Sequence, residues 1–122
     1  MNGHLAVNHH IDITQTLVRL YIFLAQSLDR ALNATAGPSL PDHELQSHLA
    51  SARSDAMAML SVNRVVKEKV EEECARVRSL IAAFLKGGAG KPGALDELKS
   101  ERDVLKTKTA ALTDLLAVFR AV

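Results

Sequence analysis

The chain has 122 residues, of which 48% are hydrophobic and only 3% aromatic, and its formal net charge is +1. This length fits one domain with enough aliphatic side chains for a packed core. Residues 1–61 carry 3 basic and 5 acidic residues and residues 62–122 carry 12 and 9, so the halves have net charges of −2 and +3. Neither half has the dense basic face of a nucleic-acid-binding protein, so we do not expect the protein to bind nucleic acid.

The N-terminal residues and the single cysteine bear on the compartment. His4, His9 and His10 fall where the apolar core of a secretory signal would run. The apolar stretch 17–28 is too short to span a bilayer and contains an arginine. Cys74 is the only cysteine, which excludes an internal disulfide. We therefore expect a cytoplasmic or nuclear protein without a membrane role.

The first predicted element follows a polar segment. Residues 1–11 are expected to form a flexible arm, and Asp12 or Thr14 can cap a helix that runs to about residue 36. A turn rich in glycine and proline, residues 36–41, ends this helix. The first helix is thus expected at 12–36.

The second predicted element is a very long helix. Between residues 42 and 86 there is no glycine and no proline, the two residues that most destabilise a helix interior. We therefore predict one helix at about 40–86. At about 1.5 Å per residue, 45 residues would span about 67 Å, far more than the diameter of about 35 Å of a compact domain of this size. The chain alone would not cover such a helix.

The last predicted elements are a linker and a third helix. Residues 87–93 are mostly glycine, which predicts a flexible linker, and a helix is expected at 94–121. Residues 12–122 are then one all-α domain. Its expected architecture is an extended helical hairpin or coiled-coil-like bundle.

A heptad pattern runs along the long helix. Alternating steps of four and three from Leu45 to Phe84 meet apolar residues except at Asn63 and Glu73. A buried Asn63 would fix the register of partner helices, but a slight rotation of the helix would instead place its side chain outside. Glu73 and Arg102, a polar residue in the weaker heptad pattern of the third helix, either reach the edges of the seam or pair with each other.

The first helix is apolar on every side over residues 17–24, where Arg19 is the only charged residue. A helix of this kind needs burial all round. In a three-helix chain it would leave one face in water, so the pattern favours partner chains.

Histidines offer no clear metal site. His9 and His10 are adjacent, without the spacing of a structural zinc site. His43 and His48 are five residues apart and do not share a helix face, so we expect both to face solvent or a partner.

The remaining candidates for chemistry are a glycine-rich loop and the cysteine. Residues 87–92 lack the spacing and the hydroxyl of a phosphate-binding loop. Cys74 follows three glutamates, whose charge disfavours a thiolate. We predict no catalytic residue, no cofactor and no metal.

These patterns predict a non-enzymatic helical interaction subunit. It would assemble through an apolar, coiled-coil-like stripe with other helical subunits of a larger complex, as a homo- or hetero-oligomer. The alternative is a small chaperone or adaptor that holds an amphipathic helix of a client protein. The side chains expected at the interface or in the core seam are Leu17, Leu20, Phe23, Leu24, Met59, Asn63, Val66, Val70, Val77, Leu112, Leu116 and Phe119.

Overall fold

The computed structural model describes residues 2–33, 43–87 and 92–121, and side chains from residue 10 onward within them except that of residue 62. The described residues contain no strand and form four helices: α1 (Asn2–Leu32), α2 (His43–Met59), α3 (Arg64–Leu85) and α4 (Ala94–Ala121). The all-α class is therefore confirmed, whereas the predicted count of three helices is wrong. The predicted turn at 36–41 and residues 88–91 of the predicted linker lie outside the described residues.

The first helix is longer than predicted. Helix α1 begins at Asn2 instead of residue 12, so residues 2–11, predicted as a loose arm, form its first turns. The end of α4 runs beside this part of α1, and the rings of His10 and Phe119 stack with centroids 5.6 Å apart. Because α4 runs antiparallel to α1 and ends at Ala121, this packing supports helix only in the last of residues 2–11.

The predicted long helix at 40–86 is interrupted. A 3-10 turn, Leu60–Val62, follows α2, and Asn63 leaves the helical region with φ −124° and ψ 87°. The Asn63 side chain accepts a hydrogen bond from the backbone N–H of Val66 at 3.2 Å and caps α3. Asn63 is exposed, so its side chain points outward, the second of the two positions considered from the heptad pattern.

Helices α1 and α4 are antiparallel neighbours. Asp29, near the end of α1, accepts a hydrogen bond from the guanidinium of Arg102, near the start of α4, at 3.2 Å. At the other end of the pair lies the stacked contact between His10 and Phe119. Arg102 therefore pairs with α1 and not with Glu73.

The other helices complete an up-down-up-down bundle. Helix α2 runs antiparallel to α1, since Phe23 stacks on His48 with ring centroids 5.5 Å apart, further along α1 than Arg19, which lies 3.9 Å from Asp55. Helix α3 runs antiparallel to α4 and is joined to it by ion pairs described below.

The centre of the core is α1. Leu20, Leu24 and Leu28 have no exposed surface and pack in one apolar cluster with side chains of α2, α3 and α4. Burying such a leucine stabilises the fold by about 1.5–3 kcal/mol, which offsets the cost of interrupting the helix between α2 and α3. Among the described side chains of α1, Ile22 is the large apolar residue that stays exposed, at 39%. The chain itself thus supplies much of the cover that the sequence led us to expect from partners.

Candidate helix-binding groove

Polar and ring contacts join α1 to α2, α1 to α4 and α3 to α4, and a hydrogen bond described below joins α1 to α3. Ion pairs or hydrogen bonds cross the α1/α2, α1/α4 and α3/α4 seams: Arg19–Asp55, Arg102–Asp29, Lys108–Glu73 and Arg76–Glu101. Among the described residues, no hydrogen bond, ion pair or ring contact crosses the α2/α3 seam. This seam is held by apolar packing alone.

A groove of about 430 Å³ opens along the α2/α3 seam. Its apolar lining comes from Leu49 of α2 and from Val77, Ile81 and Leu85 of α3, and Ser27 of α1 lies at its base. We call this feature the α2/α3 groove.

The groove is elongated along the helix axes. Val77, Ile81 and Leu85 follow each other at intervals of four residues, so they line one side of α3 over about 12 Å. On α2, His43 and Leu49 are six residues apart, which corresponds to about 9 Å of helix. The shape is a trough between two ridges and not a round cavity.

Two arginines flank this trough. Arg78 lines it on the α3 side, and Arg53 follows Leu49 by one helical turn on α2. Both side chains are exposed, and neither forms an ion pair within the part of the chain that the structure describes. The rim of the groove therefore carries positive charge that the protein itself does not neutralise by direct contact.

Cys74 is a buried residue of α3 and belongs to the apolar core cluster. The thiol is 2% exposed, and burial raises its pKa above the ordinary value. The charges of Arg53 and Arg78 lower this pKa, against the raising effects of burial, Glu73 and Glu71. A buried thiol that keeps its proton is a poor nucleophile, so we assign Cys74 to the core.

A buried polar network lies on the opposite side of α3. Glu73 is 7% exposed and accepts a hydrogen bond from the Tyr21 hydroxyl at 3.0 Å and from Lys108 Nζ at 2.6 Å. Arg76 Nη2 lies 3.9 Å from the same carboxylate. The pKa of Tyr21 is raised, mainly by burial and then by the charge of Glu73. All members have partners, so this network is a structural link between α1, α3 and α4.

Another depression, of about 480 Å³, lies between α1 and α2. Arg19 and Asp55 line it and face each other at 3.9 Å. Asp12 also lines it, and its apolar lining is limited to Ala58 and Met59.

The side chains predicted for an interface or core seam fall into three groups. Five are buried: Leu20, Leu24, Val70, Val77 and Leu116. Six are half-buried: Leu17, Phe23, Met59, Val66, Leu112 and Phe119. Asn63 is exposed at the break. Of the twelve, only Val77 lines the α2/α3 groove.

Sequence reasoning missed most of the groove. Ile81 and Leu85 continue the line of Val77 at four-residue intervals, and this second apolar line beside the heptad seam is a usable signal. Arg53 and Arg78 have no acidic residue three or four positions away, unlike the charged residues around 67–76. What no pattern gives is that the two arginines flank one seam, because that depends on the chain folding back at 60–63.

Comparison with known proteins gives no relative: no protein-family model, curated protein or solved structure matches the chain. Within the described ranges, none of the helices combines the length and apolar character needed to cross a bilayer. The same residues contain no group of three or more His, Cys, Asp or Glu side chains arranged to hold a metal ion.

Proposed function

We propose that this protein is a non-enzymatic helical interaction protein that holds an amphipathic helix of another protein in the α2/α3 groove. The observation that carries the proposal is the contrast between the seams. The α2/α3 seam has an apolar trough and no polar contact across it, whereas the other three seams are bridged.

The shape of the groove favours a helix over a compact ligand. Two helices side by side leave a trough into which a third helix inserts side chains spaced i, i+3, i+4 and i+7. The apolar line Val77, Ile81 and Leu85 has the matching spacing on the receiving side. Val77 is 0% and Ile81 8% exposed, so a helix in the groove would contact this line mainly at the half-buried Leu85. It would also contact the exposed rim residues Gln46 and Ala82.

This proposal covers the two roles expected from the sequence. A helix that stays bound would make the protein a subunit of a larger complex, and a helix that is released would make it an adaptor or chaperone. The sequence predicted one helix too long for the chain to cover. Because α2 and α3 are separate helices, that prediction supports neither role. The groove replaces that argument, and the lifetime of the bound helix distinguishes the two roles.

Ala82 and Ala83 provide a matched test. Both are exposed on α3, but only Ala82 lines the groove, since successive residues differ by about 100° around a helix. As a probe we would use a fluorescently labelled 18-residue amphipathic peptide with leucines on one face and glutamine on the other. Ala82→Trp should weaken peptide binding tenfold or more, about 1.4 kcal/mol, and Ala83→Trp should leave it within about twofold.

Three results would count against the proposal. If both substitutions weakened peptide binding equally, or if neither weakened it, the peptide would bind elsewhere. Failure of the wild type to bind any such peptide, whatever its charge, would remove the groove as a helix site. A wild-type dimer that Ala82→Trp converts to monomers would assign the groove to a second copy of this chain.

A further inference from the structure

The charges on the rim specify the partner more closely, and this step rests on the proposed function. We infer that the helix held by the α2/α3 groove is acidic, with carboxylates on both flanks of its apolar face that pair with Arg53 on one side and Arg78 on the other.

The first support is how the arginines at the helix seams are used. Arg19, Arg76 and Arg102 each face a carboxylate on a neighbouring helix, at 3.9, 2.8 and 3.2 Å. Arg53 and Arg78 flank the one seam without such a bridge and form no ion pair with any described residue. Arg30 of α1, beside Leu45 of α2, also forms no ion pair with any described residue, so the groove is one of two seams with an unmatched arginine.

The second support is where the two arginines stand. Arg78 lines the groove on α3, and Arg53 lies on α2 one helical turn beyond Leu49, on the same face of that helix. A helix laid in the trough with its apolar face down presents its flanking positions to the two ridges, as positions e and g do in a coiled coil. Carboxylates at those positions meet one guanidinium on each side, and each guanidinium can donate two hydrogen bonds to one carboxylate.

The other titratable groups near the trough do not cancel this charge. Glu71 on α3 also influences the Cys74 thiol, but it is half-buried and forms no ion pair with either arginine. Glu44 lies 3.6 Å from His48 at the start of α2. His43 lines the groove and adds positive charge when protonated. The rim therefore favours a negative partner, mainly through specificity and association rate.

The test compares three labelled 18-residue peptides with one apolar leucine face. Their flanking positions carry glutamate, glutamine or lysine, and binding is measured at low and at high salt. We expect the glutamate peptide to bind at least about tenfold more tightly than the lysine peptide at low salt, with the difference shrinking at high salt. The double variant Arg53→Glu, Arg78→Glu should reverse the order of the peptides.

Arg120→Glu is the matched control variant. Arg120 is exposed in the last turn of α4, at the end of the bundle away from the groove, and Arg120→Glu changes the net charge by the same amount as the single variant Arg78→Glu, with which it is compared. It should leave the order of the three peptides unchanged. Circular dichroism of all variants checks that these surface substitutions leave the helix content intact.

The outcomes separate the two levels of the argument. If the three peptides bind equally well, or if the lysine peptide binds best, the acidic partner is overturned while the groove remains a helix site. An equal response to Arg120→Glu and to the groove variants would also overturn it, because net charge alone would then explain the preference. If no peptide binds, the proposed function itself fails.

Discussion

Tyr21 on α1 donates a hydrogen bond to Glu73 Oε2 on α3 across 3.0 Å, between residues 52 positions apart in the chain. Lys108 of α4 donates to the other oxygen of the same carboxylate at 2.6 Å. One buried carboxylate thus joins three helices, and it fixes how far each can slide along the others. The network tests the fold independently of the groove.

Removing the tyrosine hydroxyl should destabilise the bundle. Tyr21→Phe keeps the ring but takes one partner from a buried carboxylate, which costs about 1–3 kcal/mol in the free energy of unfolding. Urea denaturation monitored by circular dichroism measures this change in unfolding free energy directly. A change below about 0.3 kcal/mol would mean that the hydroxyl and Glu73 do not meet in the folded protein.

The same tyrosine predicts an alkaline loss of stability. Its pKa is raised in the folded state, first by burial and then by Glu73, from the ordinary tyrosine value of 10.0. Above that pH the unfolded chain releases the phenolic proton while the folded chain retains it, so stability falls as the pH rises, by at most about 1.4 kcal/mol per pH unit.

Tyr21→Phe lacks this contribution and serves as the reference. The difference in unfolding free energy between the wild type and Tyr21→Phe should be constant below pH 10 and should narrow above it. A difference that stays constant above pH 10 would show that the folded protein does not hold the proton.

Two lysines of α4 should respond differently to the same substitution. Lys108→Met leaves the Glu73 carboxylate buried with one strong donor fewer, and we expect a loss of about 1–3 kcal/mol. Lys106 Nζ lies 3.7 Å from Asp29, which keeps its contact with Arg102, and the Lys106 side chain is 56% exposed. Lys106→Met should therefore change stability by no more than about 0.5 kcal/mol. Equal effects in thermal or urea unfolding would contradict the network.

Proline substitutions test the break between α2 and α3. Arg64 is the first residue of α3, where proline is well tolerated, and the extended backbone of Asn63 suits a residue before proline. Arg64→Pro should change stability by less than about 1 kcal/mol, whereas Glu72→Pro, at an exposed position inside α3, should cost about 3 kcal/mol or more. If α2 and α3 formed one continuous helix, both substitutions would destabilise it strongly. A large loss of stability in Arg64→Pro would therefore indicate an uninterrupted helix.

The predictable parts of the fold are those that local chemistry decides. The glycine-rich stretch ends α3 at Leu85 and precedes α4 at Ala94, as predicted, and Gly87 and Gly93 have positive φ of 122° and 82°. Positive φ is a conformation that glycine adopts without strain. The all-α class likewise followed from helical periodicity without strand patterns.

The break at Asn63 was not predictable from helix breakers, because the region contains neither glycine nor proline. Its local signal is weak: an asparagine that can cap the next helix. The decisive cause is tertiary, since folding back at this point lets α2 and α3 both cover the apolar α1. The groove could not be predicted for the same reason, because its two walls become neighbours only after the chain folds back.

The central claim is that α2 and α3 lie side by side and form a groove, and the distance between Gln46 and Ala82 tests it most directly. Both residues line the groove. Spin labels are attached to cysteines at these positions in a Cys74→Ser background, and double electron–electron resonance measures the distance between them. We expect a distance below about 25 Å, because packed helices lie about 8–10 Å apart and the label linkers add to this. A distance near 54 Å, which 36 residues of uninterrupted helix would span at about 1.5 Å each, would contradict the account.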